Sequence, residues 1–152
     1  VAVILFGTND AQAIETGGRI LDFGSDAWKA AYARRIDDLV GLLRGRGAVV
    51  YWVGLPRMKR ERFDARMTLI NDVVSARMAA LGVPYIDTTP LTSDAEGRYA
   101  AYPADEAGRR RLMRANDGIH MSTAGYMRLG EAVSQRLIRD IGLEPAAPAR
   151  AR

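Results

Sequence analysis

The sequence predicts an α/β fold built on a parallel sheet, and three observations carry that prediction. Val1-Ala2-Val3-Ile4-Leu5-Phe6 is a near-continuous apolar run followed by Gly7, the pattern of a strand buried on both faces. Ala48-Val49-Val50-Tyr51-Trp52-Val53-Gly54 repeats that pattern, and the residues between the two runs carry apolar side chains at helical spacing. Strand, helix and strand within about fifty residues make a βαβ unit, whose crossover is right-handed.

The 152 residues suit one domain, and with 48% apolar and 26% charged residues the chain can bury a core. Its net charge of +4 comes from unevenly spread arginines. A basic stripe attracts acidic polymers, but no nucleic-acid-binding signature accompanies this one, which argues against sequence-specific nucleic-acid binding. Without cysteine there is no disulfide, no thiolate metal site and no cysteine nucleophile. No signal peptide or transmembrane run is visible. The chain opens at Val1, without Met, on a strand of the buried kind, so a neighbouring strand and preceding residues are expected.

The first strand, Val1 to Phe6, leads into Gly7-Thr8-Asn9-Asp10, at the strand end where open α/β sheets place ligands. Gly7 allows an unusual backbone turn and Asn9 offers a side-chain amide, although the same tetrapeptide is ordinary turn composition. Ala11 to Ser25 reads as a long loop with Gly17-Gly18 and Gly24, either a wall of a site or mobile, with Gln12 and Glu15 nearest Asn9. Ser25 or Asp26 caps a helix carrying Trp28, Tyr32, Ile36, Leu39, Val40 and Leu43, which Gly45-Arg46-Gly47 ends. Trp28 and Tyr32 fit a core better than a sugar-stacking platform. After the second strand, Leu55-Pro56 forces an extended exit. A second helix then aligns Phe63, Met67, Ile70, Val74, Met78 and Leu81 before Gly82 stops it, with the methionines as core filler.

Val83-Pro84-Tyr85-Ile86 is a short third strand ending at Asp87-Thr88-Thr89-Pro90. From there to Asn116 turns dominate, and an excursion with a hairpin at Arg98 to Tyr102 is expected. Arg109-Arg110-Arg111 and Arg114 form a charge run, either a solvated face or an anion contact. Ser122 and Thr123 cap a last helix with Leu129, Val133, Leu137, Ile138 and Ile141 on one face. The domain thus spans 1–143. Glu144 to Arg152 is a Pro/Ala/Arg tail without an apolar face, expected to be disordered. No internal repeat is evident.

Just before the last helix, Asp117-Gly118-Ile119-His120 holds the only histidine in the chain. An imidazole is the default base near neutral pH, and a carboxylate three residues earlier can hold its second ring nitrogen.

Taken together, Gly7-Thr8-Asn9-Asp10 after one strand, Val53-Gly54-Leu55-Pro56 after the next and Asp117-Gly118-Ile119-His120 before the last helix resemble the SGNH (GDSL-like) hydrolase superfamily. Gln12, the Trp28/Tyr32 helix, Gly97-Arg98-Tyr99 and Gly118-Ile119-His120-Met121-Ser122 are similar to its uncharacterised, bacterial, envelope-associated branch. The resemblance covers Val1 to about Leu143. It implies a three-layer, flavodoxin-like α/β/α sandwich on a five-stranded parallel sheet, of which this chain supplies the last three strands. The nucleophilic Ser of the family's Gly-Asp-Ser block has no counterpart here and is expected upstream of Val1. Ser25, Ser75, Ser93, Ser122 and Ser134 all stand in the wrong context for it.

The resemblance further implies that His120 is the base, Asp117 its orienting carboxylate and Asn9 an oxyanion donor. Gly7, Asp10, Gln12, Arg110 and Arg111 are the candidate substrate contacts, and no metal or cofactor is required. The expected substrates are small acyl esters, O-acetylated cell-envelope glycans among them, and the expected location by the resemblance is periplasm or cell envelope. Two other readings stay open: a non-catalytic module of the same fold that binds glycan or a partner protein, and a basic module for nucleic acid or acidic polymers.

Overall fold

The computed structural model describes residues 1–105 and 107–142. Three parallel strands, β1 (Ala2–Ile4), β4 (Val50–Val53) and β5 (Tyr85–Ile86), form the sheet in the order β1-β4-β5. Ala2 pairs with Val50, Ile4 with Trp52 and Val53 with Ile86. A small antiparallel hairpin, β2 (Ile14–Thr16) and β3 (Arg19–Leu21), follows β1.

Two cores separated by the sheet make three layers. On one face, Ile4, Val50 and Trp52 pack with Trp28, Ile36 and Val40 of α1 (Asp26–Gly45) and Met67, Ile70 and Val74 of α2 (Glu61–Leu81). On the other, Tyr51, Val53 and Ile86 meet Leu129, Val133 and Leu137 of α3 (Thr123–Ile141). Alternate strand residues point to opposite faces, which is why odd and even positions of β4 enter different cores. The α/β/α sandwich expected from the sequence is therefore observed.

The helix ends follow their caps. Ser25 Oγ accepts the Trp28 N–H at 3.2 Å, Ser122 Oγ accepts that of Gly125 at 3.0 Å, and Gly82 closes α2 in the left-handed conformation. Trp28 is fully buried and stacks on Tyr32 at 4.7 Å, so both belong to the core, and the methionines of α2 fill it.

Four expectations need correction. The first strand is shorter than Val1 to Phe6, and the described residues cover only one of its faces. Ile4 is buried while Val1, Val3 and Leu5 are exposed, because α3 covers β4 and β5 but not β1 among the described residues. The segment from Ala11 to Ser25 is not a plain loop. Gly17 and Gly18, at φ of 56° and 70°, make the two-residue turn of a hairpin that buries Ile14 against α1. The third strand is Tyr85–Ile86, shorter than Val83 to Ile86: the Val83 N–H is taken by the end of α2 at Met78, and the Pro84 carbonyl accepts the Trp52 N–H at 3.0 Å just before the strand.

In place of a hairpin at Arg98 to Tyr102, the excursion holds two successive loops closed by the bridges Ser93–Tyr99 and Ala104–Arg110. Each is an Asp-x-x-Gly-Arg turn. Asp94 Oδ1 accepts the N–H of Glu96 and Arg98 while Oδ2 takes the Arg98 Nε–H, and Asp105 treats Ala107 and Arg109 in the same way. Local carboxylate–backbone bonds replace a strand ladder there. The tail from Glu144 onward lies outside the described residues. Among the described residues no helix is long and apolar enough to cross a membrane.

Candidate active site

Two loops, from opposite ends of the chain, face each other across a cleft of about 680 Å³ at the carboxyl end of the sheet. The first is the turn after β1. Gly7 adopts φ of 128°, and its carbonyl accepts the Asp10 N–H at 2.9 Å. A side chain there would be strained by this φ, while its Cβ would meet Leu55, Tyr32 and Ile70 at ordinary contact distance. Asp10 Oδ2 accepts the Tyr32 O–H at 2.8 Å. Burial, then this bond to a carboxylate, push the Tyr32 phenol well above its ordinary pKa, so it stays a donor. The turn is thereby pinned to α1, and Thr8 and Asn9 are left lining the cleft.

The second loop precedes α3. Ser122 caps the helix and donates its own hydroxyl to the Leu112 carbonyl at 2.6 Å, while Gly125 lets the helix approach Met113 so closely that a Cβ would lie 2.1 Å from its carbonyl oxygen. Gly118, at φ of 69°, turns the chain against Lys59. Within this frame Asp117 Oδ1 accepts the N–H groups of Ile119 at 2.8 Å and His120 at 3.0 Å. Its Oδ2 lies 2.7 Å from His120 Nδ1. The His120 side-chain bond first, then the two backbone N–H groups, hold the Asp117 carboxyl far below the usual carboxylate range. With Nδ1 engaged, Nε2 of His120 is left for chemistry, and the residue lines the cleft with its side chain 68% exposed.

The floor comes from the segment after β4. Asn71 donates to the Leu55 carbonyl and accepts its N–H, both at 2.8 Å, and the Thr88 hydroxyl donates to the Gly54 carbonyl at 3.0 Å. Leu55, Pro56, Met58 and Phe63 give the cleft an apolar side. Asp64 accepts the Met58 N–H and pairs with Arg57 at 2.6 Å, fixing this segment to the start of α2.

Of the candidate residues, His120, Asn9, Gly7 and Asp10 line the one cleft, with Asp117 bonded to the His120 ring. Gln12 does not line it. Its carbonyl accepts the Trp28 indole N–H at 2.8 Å, and it borders a separate cavity of about 250 Å³. Arg110 and Arg111 are also elsewhere, because the Asp105 turn carries them away. Arg110 bridges to Ala104 and Arg111 lines a groove along α3. Among the described residues no serine lines the cleft. Arg114, which the sequence gives as one more member of a charge run, is fully buried. Nothing in the local pattern separates it from its neighbours, and Tyr32 and Asn71 likewise carry no sequence signal of their roles.

Crystal structures with this fold include a GDSL-like lipase from Bacteroides thetaiotaomicron VPI-5482, at a TM-score of 0.53 and 14% identity over 74% of this chain and 53% of that one. A lipase/acylhydrolase from Enterococcus faecalis matches at 0.54 and 19% identity, over 89% and 59%. The chain therefore spans a little over half the length of each. At these identities the likeness is one of fold, and at that level it bears out the SGNH (GDSL-like) resemblance. No curated protein matches the sequence. Residues 1–136 match DUF459, described as a protein family of unknown function, and the chain belongs to that family.

Proposed function

We propose that this chain supplies the acid–base and oxyanion half of a serine-type ester hydrolase or acyl-transfer site. The observation that carries the reading is the Asp117–His120 pair, 2.7 Å apart, with His120 in the same cleft as Asn9. The attacking hydroxyl belongs to a serine outside these residues. His120 Nε2 takes its proton as the oxygen bonds to the acyl carbon, and Asp117 stabilises the imidazolium. The Asn9 amide donates to the carbonyl oxygen as it gains charge. His120 then returns the proton to the leaving alcohol, and water or a second alcohol takes the acyl group by the same steps.

Small acyl esters are the substrate class, with O-acetylated cell-envelope glycans as the candidates that the resemblance suggests. A second reading is a non-catalytic module of the same fold that binds glycan or a partner protein. Assaying p-nitrophenyl acetate hydrolysis by the full-length protein separates them: turnover lost in His120→Ala supports the enzyme, and no turnover in the unmodified, folded protein supports the module.

A further inference from the structure

Arg114 is fully buried, and what its guanidinium donates to belongs to the histidine loop and to the floor segment after β4. It reaches the main-chain oxygens of Gly118 at 3.4 Å, Ile119 at 2.6 Å and His120 at 3.3 Å. Across the floor it reaches the Arg57 carbonyl and Met58 Sδ, and the Tyr99 ring lies 5.3 Å from it. No carboxylate among the described residues forms an ion pair with it. Taking a cation out of water without a direct counter-ion is costly unless its hydrogen bonds are well made.

The backbone between Arg114 and Asp117 supplies the counter-charge indirectly. The peptide unit joining Gly118 to Ile119 turns its carbonyl to Arg114 and its N–H to Asp117 Oδ1, and the unit joining Ile119 to His120 does the same. Two peptide dipoles thus stand between a buried cation and a carboxylate, the closer through the Ile119 carbonyl at 2.6 Å and the second through the Gly118 carbonyl at 3.4 Å, which also accepts the Lys59 N–H at 3.1 Å. The cation polarises both units, which strengthens their N–H groups as donors. Oδ1 is held by two bonds, and Oδ2 is the oxygen presented to His120 Nδ1.

We infer that Arg114 is a positioning residue for His120, acting through these two peptide units and Asp117 and not through contact with substrate. The kinetic consequence rests on the acyl-transfer reading above; the geometric one does not. Lysine keeps the charge but loses the planar fork that serves several carbonyls at once.

The test uses the full-length protein with Arg114→Lys and Arg114→Met. Both should lower kcat by about 10²-fold with KM within about twofold, the scale of a misplaced catalytic group. In long-range ¹H–¹⁵N spectra, the His120 ring nitrogens, assigned by their loss in His120→Ala, should move from a single Nδ1–H tautomer toward a mixture. Met113→Ala, an equally buried neighbour outside the relay, should lower Tm while leaving kcat and the ring shifts unchanged.

Wild-type kcat and ring shifts in folded Arg114→Lys would overturn the inference, as would the same losses in Met113→Ala, which would make Arg114 an ordinary packing residue. Should neither Arg114 variant fold, amide exchange in the unmodified protein decides. The Ile119 and His120 amides must both be protected to the level of the α2 core, and free exchange at either sinks the relay. If the unmodified protein cleaves no ester, the functional reading falls while the ring shifts and amide exchange still judge Arg114.

Discussion

Asp117 spends one oxygen on the backbone and the other on His120: Oδ1 accepts the Ile119 and His120 N–H groups, and Oδ2 lies 2.7 Å from His120 Nδ1. A carboxylate anchored in this way cannot swing from the ring, so the imidazole is oriented before any substrate arrives.

In the full-length protein, His120→Ala should therefore remove most ester turnover. Asp117→Asn should lower kcat by up to about 10⁴-fold, since an amide cannot fix the tautomer as a carboxylate does. Asn9→Ala should lower kcat by roughly 10²–10³ with KM little changed, the signature of a bond made in the transition state. Steady-state kinetics with circular dichroism on each variant checks this, and wild-type kcat in all three folded variants would remove the site.

Charge reversal at Arg110 or Arg111 should leave KM unchanged for anionic and neutral esters alike, because neither residue lines the cleft. A selective rise in KM for the anionic ester would restore them to the substrate path.

Gly125 and Gly130 both lie on α3 and should respond oppositely to alanine. At Gly125 the new Cβ meets the Met113 carbonyl oxygen at 2.1 Å, so the helix must shift, at a cost of about 1–3 kcal/mol. At exposed Gly130 nothing lies within 4 Å, and Gly130→Ala should add roughly 0.5–1 kcal/mol through helix propensity. Urea titration of the two variants reads the difference directly, and equal midpoints would contradict the docking geometry.

Stability should fall on the acid side. Backbone N–H groups, first those of Arg98 and Arg109, depress the Asp94 and Asp105 carboxyls, and His120 depresses Asp117. A carboxyl whose folded pKa lies below its unfolded value of about 3.9 stabilises the fold fully above that pH. The contribution is lost as pH falls toward the folded pKa. Tm should hold from pH 7 to about 5 and drop below about 4. The double variant Asp94→Asn, Asp105→Asn should start lower and drop less steeply, and a wild-type slope in that variant would count against the two turns.

What the sequence determined by itself was whatever depends on near neighbours in the chain. Apolar runs and helical spacing marked three strands and three helices, Ser25, Gly82 and Ser122 marked helix ends, and the Asp117-to-His120 spacing already allowed the pair, since three residues of loop suffice for one carboxylate to hold one ring. Tertiary structure decided what depends on which surfaces meet. It brought Asn9 and His120 to one cleft and moved Gln12, Arg110 and Arg111 out of it. It also separated Arg114 from arginines of identical local character. Charge is a property of a residue, but burial is a property of its surroundings, and only the folded chain surrounds Arg114 with the carbonyls of Arg57, Gly118, Ile119 and His120.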